Sequence, residues 1–135
     1  MKTCVGSLLL LLLVPVLLAS CASQRMYYWG DYSTTLYHSR KVPCEGNLLK
    51  HTQALENIIQ KSEEQNLRVP PGVYAELGYV YFRQNATDTA VKYFLLEEQT
   101  YPESRIFMER LVQAARARAA DTAEEENAQE DAAKE

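Results

Sequence analysis

The spacing of a few aromatic, aliphatic and small residues between Pro71 and Ser104 constrains this chain more than any other feature. Tyr74, Leu77, Gly78 and Tyr81 recur at helical intervals, so they share one face of a helix. Asn85 then marks a turn, because Asn tolerates the positive φ that a tight reversal wants. Ala90 and Phe94 follow at helical spacing on a second stretch. Thr87 is suited to cap that stretch and Asp88 to its positive end. Pro102 stops it and opens the next helix. Gly78 lacks a Cβ and lets the two helices approach closely, with Ala90 as the small partner across the contact. Tyr74, Leu77, Tyr81 and Phe94 fill the space between the antiparallel pair.

In order and spacing these seven positions resemble the tetratricopeptide repeat, with Tyr74 standing where that repeat has its Trp. The resemblance covers residues 71–104 and implies a hairpin of helix A and helix B. One position departs from it. Glu97 stands where a small apolar residue normally packs on the next repeat, and Arg105 or Arg110 is the expected partner for its charge.

A single repeat does not bury its own face, and about three are normally needed. The rest of the chain supplies substitutes. From Leu48 to Gln65 the apolar positions 48, 49, 55, 58 and 59 keep a helical period, with Lys50, Glu56, Lys61 and Glu64 opposite. Asn47 is the expected N-cap and Asn66 the expected left-handed terminator. Residues 42–46 read as a turn, and Val69-Pro70-Pro71-Gly72 as a rigid break. Beyond the repeat, Ile106, Phe107, Met108, Leu111, Val112 and Ala115 predict a closing helix over 103–117. Trp29-Gly30, Tyr32, Leu36 and Tyr37 resemble a degraded first helix. The expected fold is all-α, a set of about five helices in tetratricopeptide-like hairpins over residues 27–118. Residues 119–135 read as an acidic low-complexity tail. Seven acids from Asp121 to Glu135 stand there among Ala, Asn and Gln, with nothing large and apolar to bury. That composition predicts disorder, with Ala and Glu favouring some frayed helix.

The N-terminus carries a different message. Lys2 is followed by a Leu-rich run from Val5 to Leu18, then small residues, which is the layout of a secretory signal. The run is short for a transmembrane helix and Pro15 interrupts it. Leu18-Ala19-Ser20-Cys21 resembles the lipobox of bacterial lipoproteins. That resemblance implies a signal peptide of residues 1–20, acyl chains on Cys21 and a tether over 21–26. Several acyl chains anchor firmly, because each buried methylene adds roughly 0.8 kcal/mol. No Asp follows Cys21, which implies an outer-membrane location facing the periplasm. Asn85-Ala86-Thr87 reads as a glycosylation acceptor in form, but in a bacterial lipoprotein it is simply the helix turn.

Removal of residues 1–20 leaves 115 residues, enough for one small domain, and moves the net charge from −4 to −5. An acidic balance argues against nucleic acid as a partner. Cys4 leaves with the signal and Cys21 is spent on lipid, so Cys44 stands alone and no internal disulfide is expected. Cys44 reads as a small buried residue, with a thiol paired to another chain as the alternative.

No catalytic set stands out. His38, His51 and Cys44 fit no compact zinc signature, and His51 reads as a polar-edge residue of its helix. Glu63-Glu64 and Glu97-Glu98 read as solvated helix faces. No metal, cofactor or small-molecule substrate is expected. The aromatic patch Tyr27, Tyr28, Trp29, Tyr32 and Tyr37 packs on the helix at 48–65, or else lies near the bilayer, where Trp and Tyr favour the interface.

Residues 27–113 also resemble a family of small uncharacterised bacterial lipoproteins. The matching pieces are Tyr28-Trp29-Gly30-Asp31-Tyr32, Leu67-Arg68-Val69-Pro70-Pro71-Gly72, Ala75-Glu76-Leu77-Gly78, and Tyr101-Pro102-Glu103-Ser104 with Phe107 and Met108. The resemblance implies a lipoprotein often encoded beside two others, one of them similar to the curli secretion channel subunit. It implies no enzymatic activity. The repeat resemblance assigns the inner groove to Ala75, Tyr79, Phe82 and Arg83, which either bind a partner or are covered by a flanking helix. The expected function is a non-catalytic envelope adaptor held to the membrane through Cys21 and docking another envelope protein. The alternative is a regulator of a periplasmic or cell-wall enzyme, working through the acidic tail.

Overall fold

Helices cover the segments whose apolar positions keep a helical period, and the chain breaks between them at Pro43, at Asn66 to Gly72, at Asn85 and at Pro102. The computed structural model describes residues 25–132. Five helices follow in order: α1 (Tyr32–Lys41), α2 (Glu45–Glu64), α3 (Val73–Arg83), α4 (Thr87–Thr100) and α5 (Arg105–Ala132). A single 3-10 turn, Pro102–Ser104, joins α4 to α5 with Pro102 at its start. Helices α1 and α2 form one hairpin and α3 and α4 a second; α2 packs on α3, and α5 packs on α4. Among the described residues no helix is long and apolar enough to cross a membrane. The expected signal peptide of residues 1–20, the expected lipidation site Cys21 and all but the last two residues of the expected tether lie outside the described residues.

The breaks follow the turn chemistry. Asn66 and Asn85 take positive φ of 52° and 60° at the ends of α2 and α3. Gly72 sits at the N-cap of α3 with φ 86°, a backbone that L side chains rarely adopt. The 66–72 break is tied to the end of α4. Tyr101 donates its hydroxyl to the Val69 carbonyl at 2.6 Å. The Arg68 guanidinium lies 4.2 Å from the centre of the Tyr101 ring and donates to the Thr100 carbonyl. Burial pushes the Tyr101 phenol pKa up.

Three boundaries differ from the sequence reading. Helix α2 begins at Glu45, with Cys44 and not Asn47 as its N-cap. Cys44 is extended and its carbonyl accepts from the Asn47 and Leu48 amides, so the helical ladder starts a turn early. Asn47 instead donates its side-chain amide to the Val42 carbonyl at 2.9 Å. At α4, Ala86 is the N-cap and Thr87 already belongs to the helix. At the other end, α5 runs on to Ala132, through the segment expected to be disordered. Extending a helix that already exists avoids the cost of nucleation, and Ala and Glu propagate it well.

The core has two parts. The first joins Leu55 and Ile58 of α2 to Val69, Val73, Tyr74 and Leu77, with Tyr28, Tyr32, Tyr81 and Tyr93 packed at its edge. Tyr93 stacks on both Tyr74 and Tyr81, at centroid distances of 6.3 and 5.6 Å. The second joins Ala90 and Phe94 to Met108, Val112 and Ala115 of α5. Full burial of each large apolar side chain contributes roughly 1.5–3 kcal/mol. Gly78 lies where α3 meets α4. A Cβ there would sit 2.8 Å from two carbons of the Phe94 ring and 3.1 Å from the Ala90 carbonyl oxygen.

Candidate functional site

Helix α3 is flanked by α2 and α4, and its remaining faces are shared between two neighbours. One side meets the second core, built by α4 and α5: Ala75 and Phe82 pack half-buried against it, and Arg118 of α5 lies 5.2 Å from the Phe82 ring centre. The other side opens into a groove of about 520 Å³, bounded by the end of α1, the α1–α2 turn, and the faces of α2 and α3. Tyr79 and Arg83 line it from α3, Arg40 from α1, and Cys44, Leu48 and His51 from the turn and α2. Tyr79 is 48 % exposed. Its ring lies 6.2 Å from that of Phe82, so the two aromatics touch although only one faces the groove.

The four residues assigned to a binding groove are therefore divided. Tyr79 and Arg83 reach the groove, while Ala75 and Phe82 are turned towards α5. Cys44, read as buried, is exposed on the groove rim, because the N-cap position on a turn leaves it outside both core clusters.

A polar network closes the groove wall. His51 is buried, 3 % exposed, and is no polar-edge residue. Its Nδ1 lies 2.9 Å from the Thr35 hydroxyl, and its Nε2 lies 3.2 Å from Glu76 Oε1 without a well-aligned hydrogen bond. Tyr32 donates its hydroxyl to the other Glu76 oxygen at 2.8 Å. This network links α1, α2 and α3, and it was not visible in the sequence. The one hint was position: His51 stands four residues before the buried Leu55, on the inward stripe of α2. His38 lies elsewhere, exposed on α1 against Tyr37. Among the described residues no three His, Cys, Asp or Glu side chains gather as metal ligands would.

Glu97 was expected on a solvated face with Arg105 or Arg110 as the partner for its charge, and the structure corrects both expectations: backbone amides at the start of α3 take the place of the arginines. It is buried, 3 % exposed, and accepts from the Gly72 amide at 2.7 Å and the Ala75 amide at 3.3 Å. The carboxylate caps α3 from across the hairpin. A lone acid on the Ala90–Phe94 stripe was the available signal, since a buried charge needs a partner.

A family model described as a domain of unknown function, DUF4810, matches residues 26–111. The chain belongs to the DUF4810 family. No curated protein and no solved structure matches it. The DUF4810 match runs from the residues preceding α1 into the first turns of α5, so it includes the groove, the polar network and the Glu97 cap.

Several tyrosines of the DUF4810 domain have phenol pKa values raised above the ordinary one. Burial, and then the hydrogen bond to Glu76, push the Tyr32 phenol pKa up to about 12. Burial also raises Tyr74, Tyr81 and Tyr93. A phenol whose pKa is higher in the folded state favours folding fully below its unfolded value of about 10, and that contribution is lost as pH rises towards 12. Helical circular dichroism should hold to about pH 10 and fall above it, in step with tyrosinate absorbance. Tyr32→Phe should lower stability at neutral pH by about 1 kcal/mol and make the alkaline fall shallower. Superimposable alkaline curves for the variant and the parent would refute the assignment to Tyr32.

Proposed function

We propose that this DUF4810 protein is a non-catalytic, lipid-anchored adaptor of the bacterial cell envelope. In this reading its helices are tetratricopeptide-like hairpins, and they receive a protein partner in the groove between α1, α2 and α3. Cys21 carries the acyl chains, and the domain hangs from the outer membrane facing the periplasm. The partner is another envelope protein, in keeping with the resemblance to lipoproteins encoded beside a curli-secretion-channel-like subunit.

The observation that carries this reading is Tyr79, half exposed beside Arg83 in the groove. Neither Arg83 nor Arg40 has a carboxylate within 4.0 Å among the described residues. Tyr and Arg are the types that supply binding energy at protein interfaces when a partner desolvates them. The fold does not need the exposed Tyr79, and its ring presents a rigid apolar face to whatever enters. His51 supports a non-catalytic reading, since both ring nitrogens face Thr35 and Glu76.

The test is crosslinked affinity purification of the acylated, membrane-bound protein, with the recovered partner then titrated in vitro. Tyr79→Ala with Arg83→Glu should weaken that partner by at least about thirtyfold, the size of one interface hot spot. The melting temperature should stay unchanged, because both side chains are exposed. Phe82 is a poorer choice for this test, since its truncation also opens the contact with α5. Undiminished binding by the double variant removes the groove from the proposal. The rival reading, a regulator acting through acidic charge, draws on the exposed Asp121 and Glu124 at the far part of α5. Deleting residues 120–135 should leave partner binding intact if the groove is the site, and abolish it if the acids are.

A further inference from the structure

Among the described residues, exposed large apolar side chains occur on several helices, such as Leu49, Leu95, Ile106 and Phe107, but only the segment before α2 combines them with exposed cations and closeness in sequence to Cys21. Met26, Trp29, Tyr37 and Val42 are 71 %, 42 %, 57 % and 53 % exposed, and all lie before α2. Helix α1 has no fully buried residue. Tyr32, Thr35, Leu36 and Ser39 are half-buried on its inner face, while Ser33, Thr34, Tyr37, His38 and Lys41 stand outside. Lys41 extends its ammonium to 5.3 Å from the Tyr37 ring centre, so cation and aromatic share that outer face.

Charge divides along the same line. Residues 25–50 carry Arg25, Arg40, Lys41 and Lys50 against Asp31 and Glu45, a net +2, in a chain whose total is −4. All four cations are exposed. The basic, aromatic end is also the end nearest Cys21. Five extended residues reach at most about 17 Å, so an acylated Cys21 holds Met26 within that distance of the lipid surface.

We infer that the outer face of α1, with Met26 and Trp29, lies on a bilayer surface bearing acidic phospholipid headgroups, and so turns the acidic remainder of the domain away from the membrane. Trp and Tyr partition to the headgroup region, and Lys and Arg beside them are drawn to anionic lipid. The short tether raises the effective concentration of this face at the membrane, so a contact too weak to hold a free protein is occupied. The inference rests on the reading of Cys21 as the anchor and deepens it from attachment to orientation.

Trp29 is the single tryptophan of the chain, half exposed just before α1 with its ring 5.2 Å from that of Tyr32, so its fluorescence reports this end of the molecule. The full-length acylated protein is reconstituted into vesicles of phosphatidylethanolamine and phosphatidylglycerol. Parallel vesicles contain brominated acyl chains, and others contain phosphatidylcholine alone. Trp29 should be quenched by the brominated lipid and protected severalfold from aqueous acrylamide in the phosphatidylglycerol vesicles. The protection should shrink in phosphatidylcholine alone. Arg25→Glu with Lys41→Glu, at exposed positions, should return Trp29 to acrylamide while intact mass still shows the acyl groups. Free access of acrylamide in phosphatidylglycerol vesicles overturns the inference. Protection from acrylamide without quenching by brominated lipid overturns it in favour of a protein covering the same face. An intact mass without acyl groups overturns the anchor itself, and is read separately from either quenching result.

Discussion

Phe94→Ala is expected to cost about 3–5 kcal/mol, the loss seen when a buried aromatic is cut back to a methyl. A small domain has roughly 5–15 kcal/mol in total, so the variant should be close to unfolded at physiological temperature. The reason is local. Phe94 is fully buried where α3, α4 and α5 meet, and the residue facing its ring is Gly78. A glycine has no side chain that can swing into the space, so the cavity persists and its full cost is felt. The same geometry makes Gly78→Ala unfavourable, since a Cβ would press on the ring at 2.8 Å. Overpacking of about 1–3 kcal/mol is offset there by about 1 kcal/mol of helix propensity. The two sites are in contact, so their effects should not add: Gly78→Ala with Phe94→Leu should be more stable than the sum of the single changes implies. Urea unfolding followed by circular dichroism measures all of this. A loss below about 1.5 kcal/mol for Phe94→Ala, outside the usual range for such truncations, would mean the ring is not the keystone of the α3–α4 contact.

Why that contact was legible in the sequence, while the polar contacts were not, follows from the range of each signal. Tyr74, Leu77, Gly78, Ala90 and Phe94 announce themselves by local spacing, because a helix repeats on a fixed period and one face must be apolar. The element boundaries were less legible. Asn47 has the chemistry of an N-cap, yet α2 starts at Glu45 because the extended Cys44 backbone already supplies the first carbonyl. His51 meets Thr35 on α1 and Glu76 on α3, and no periodicity in α2 reveals partners that distant. The groove was half legible for a geometric reason. At about 100° per residue, Phe82 and Ala75 stand on one flank of the α3 face, Tyr79 in the middle, and Arg83 on the other flank. The motif names the face, but only the packing of α5 decides which flank is covered. That leaves Tyr79 and Arg83 open, with Arg40 brought to them from a helix whose existence the repeat motif does not report.

Glu97→Ala should be nearly as damaging as the loss of Phe94, and in a more localised way. Helix α3 has no side-chain cap of its own: its N-cap is Gly72, held at positive φ. Glu97 substitutes for one from across the hairpin, with one carboxylate oxygen on the Gly72 amide and the other on the Ala75 amide. The negative charge meets the positive end of the helix dipole in a buried place, where charge-assisted hydrogen bonds are strong. Truncation leaves two amides without acceptors and a hole where the side chain lay. Each unsatisfied buried group costs about 1–3 kcal/mol, so a loss of about 2–4 kcal/mol is expected. Glu97→Gln keeps one carbonyl oxygen and turns an NH2 towards the second amide, so it should fall between Ala and the parent. Amide hydrogen exchange separates this mechanism from general loosening. In Glu97→Gln, protection should fall first at Gly72, Ala75 and the neighbouring turn of α3, while the α4–α5 contact around Met108 and Val112 keeps its protection. Uniform loss across all helices, or a Gln variant as stable as the parent, would show that the carboxylate fills space without capping α3. The consequence reaches the groove, because Tyr79 and Arg83 are carried one and two turns further along the helix whose start this carboxylate fixes.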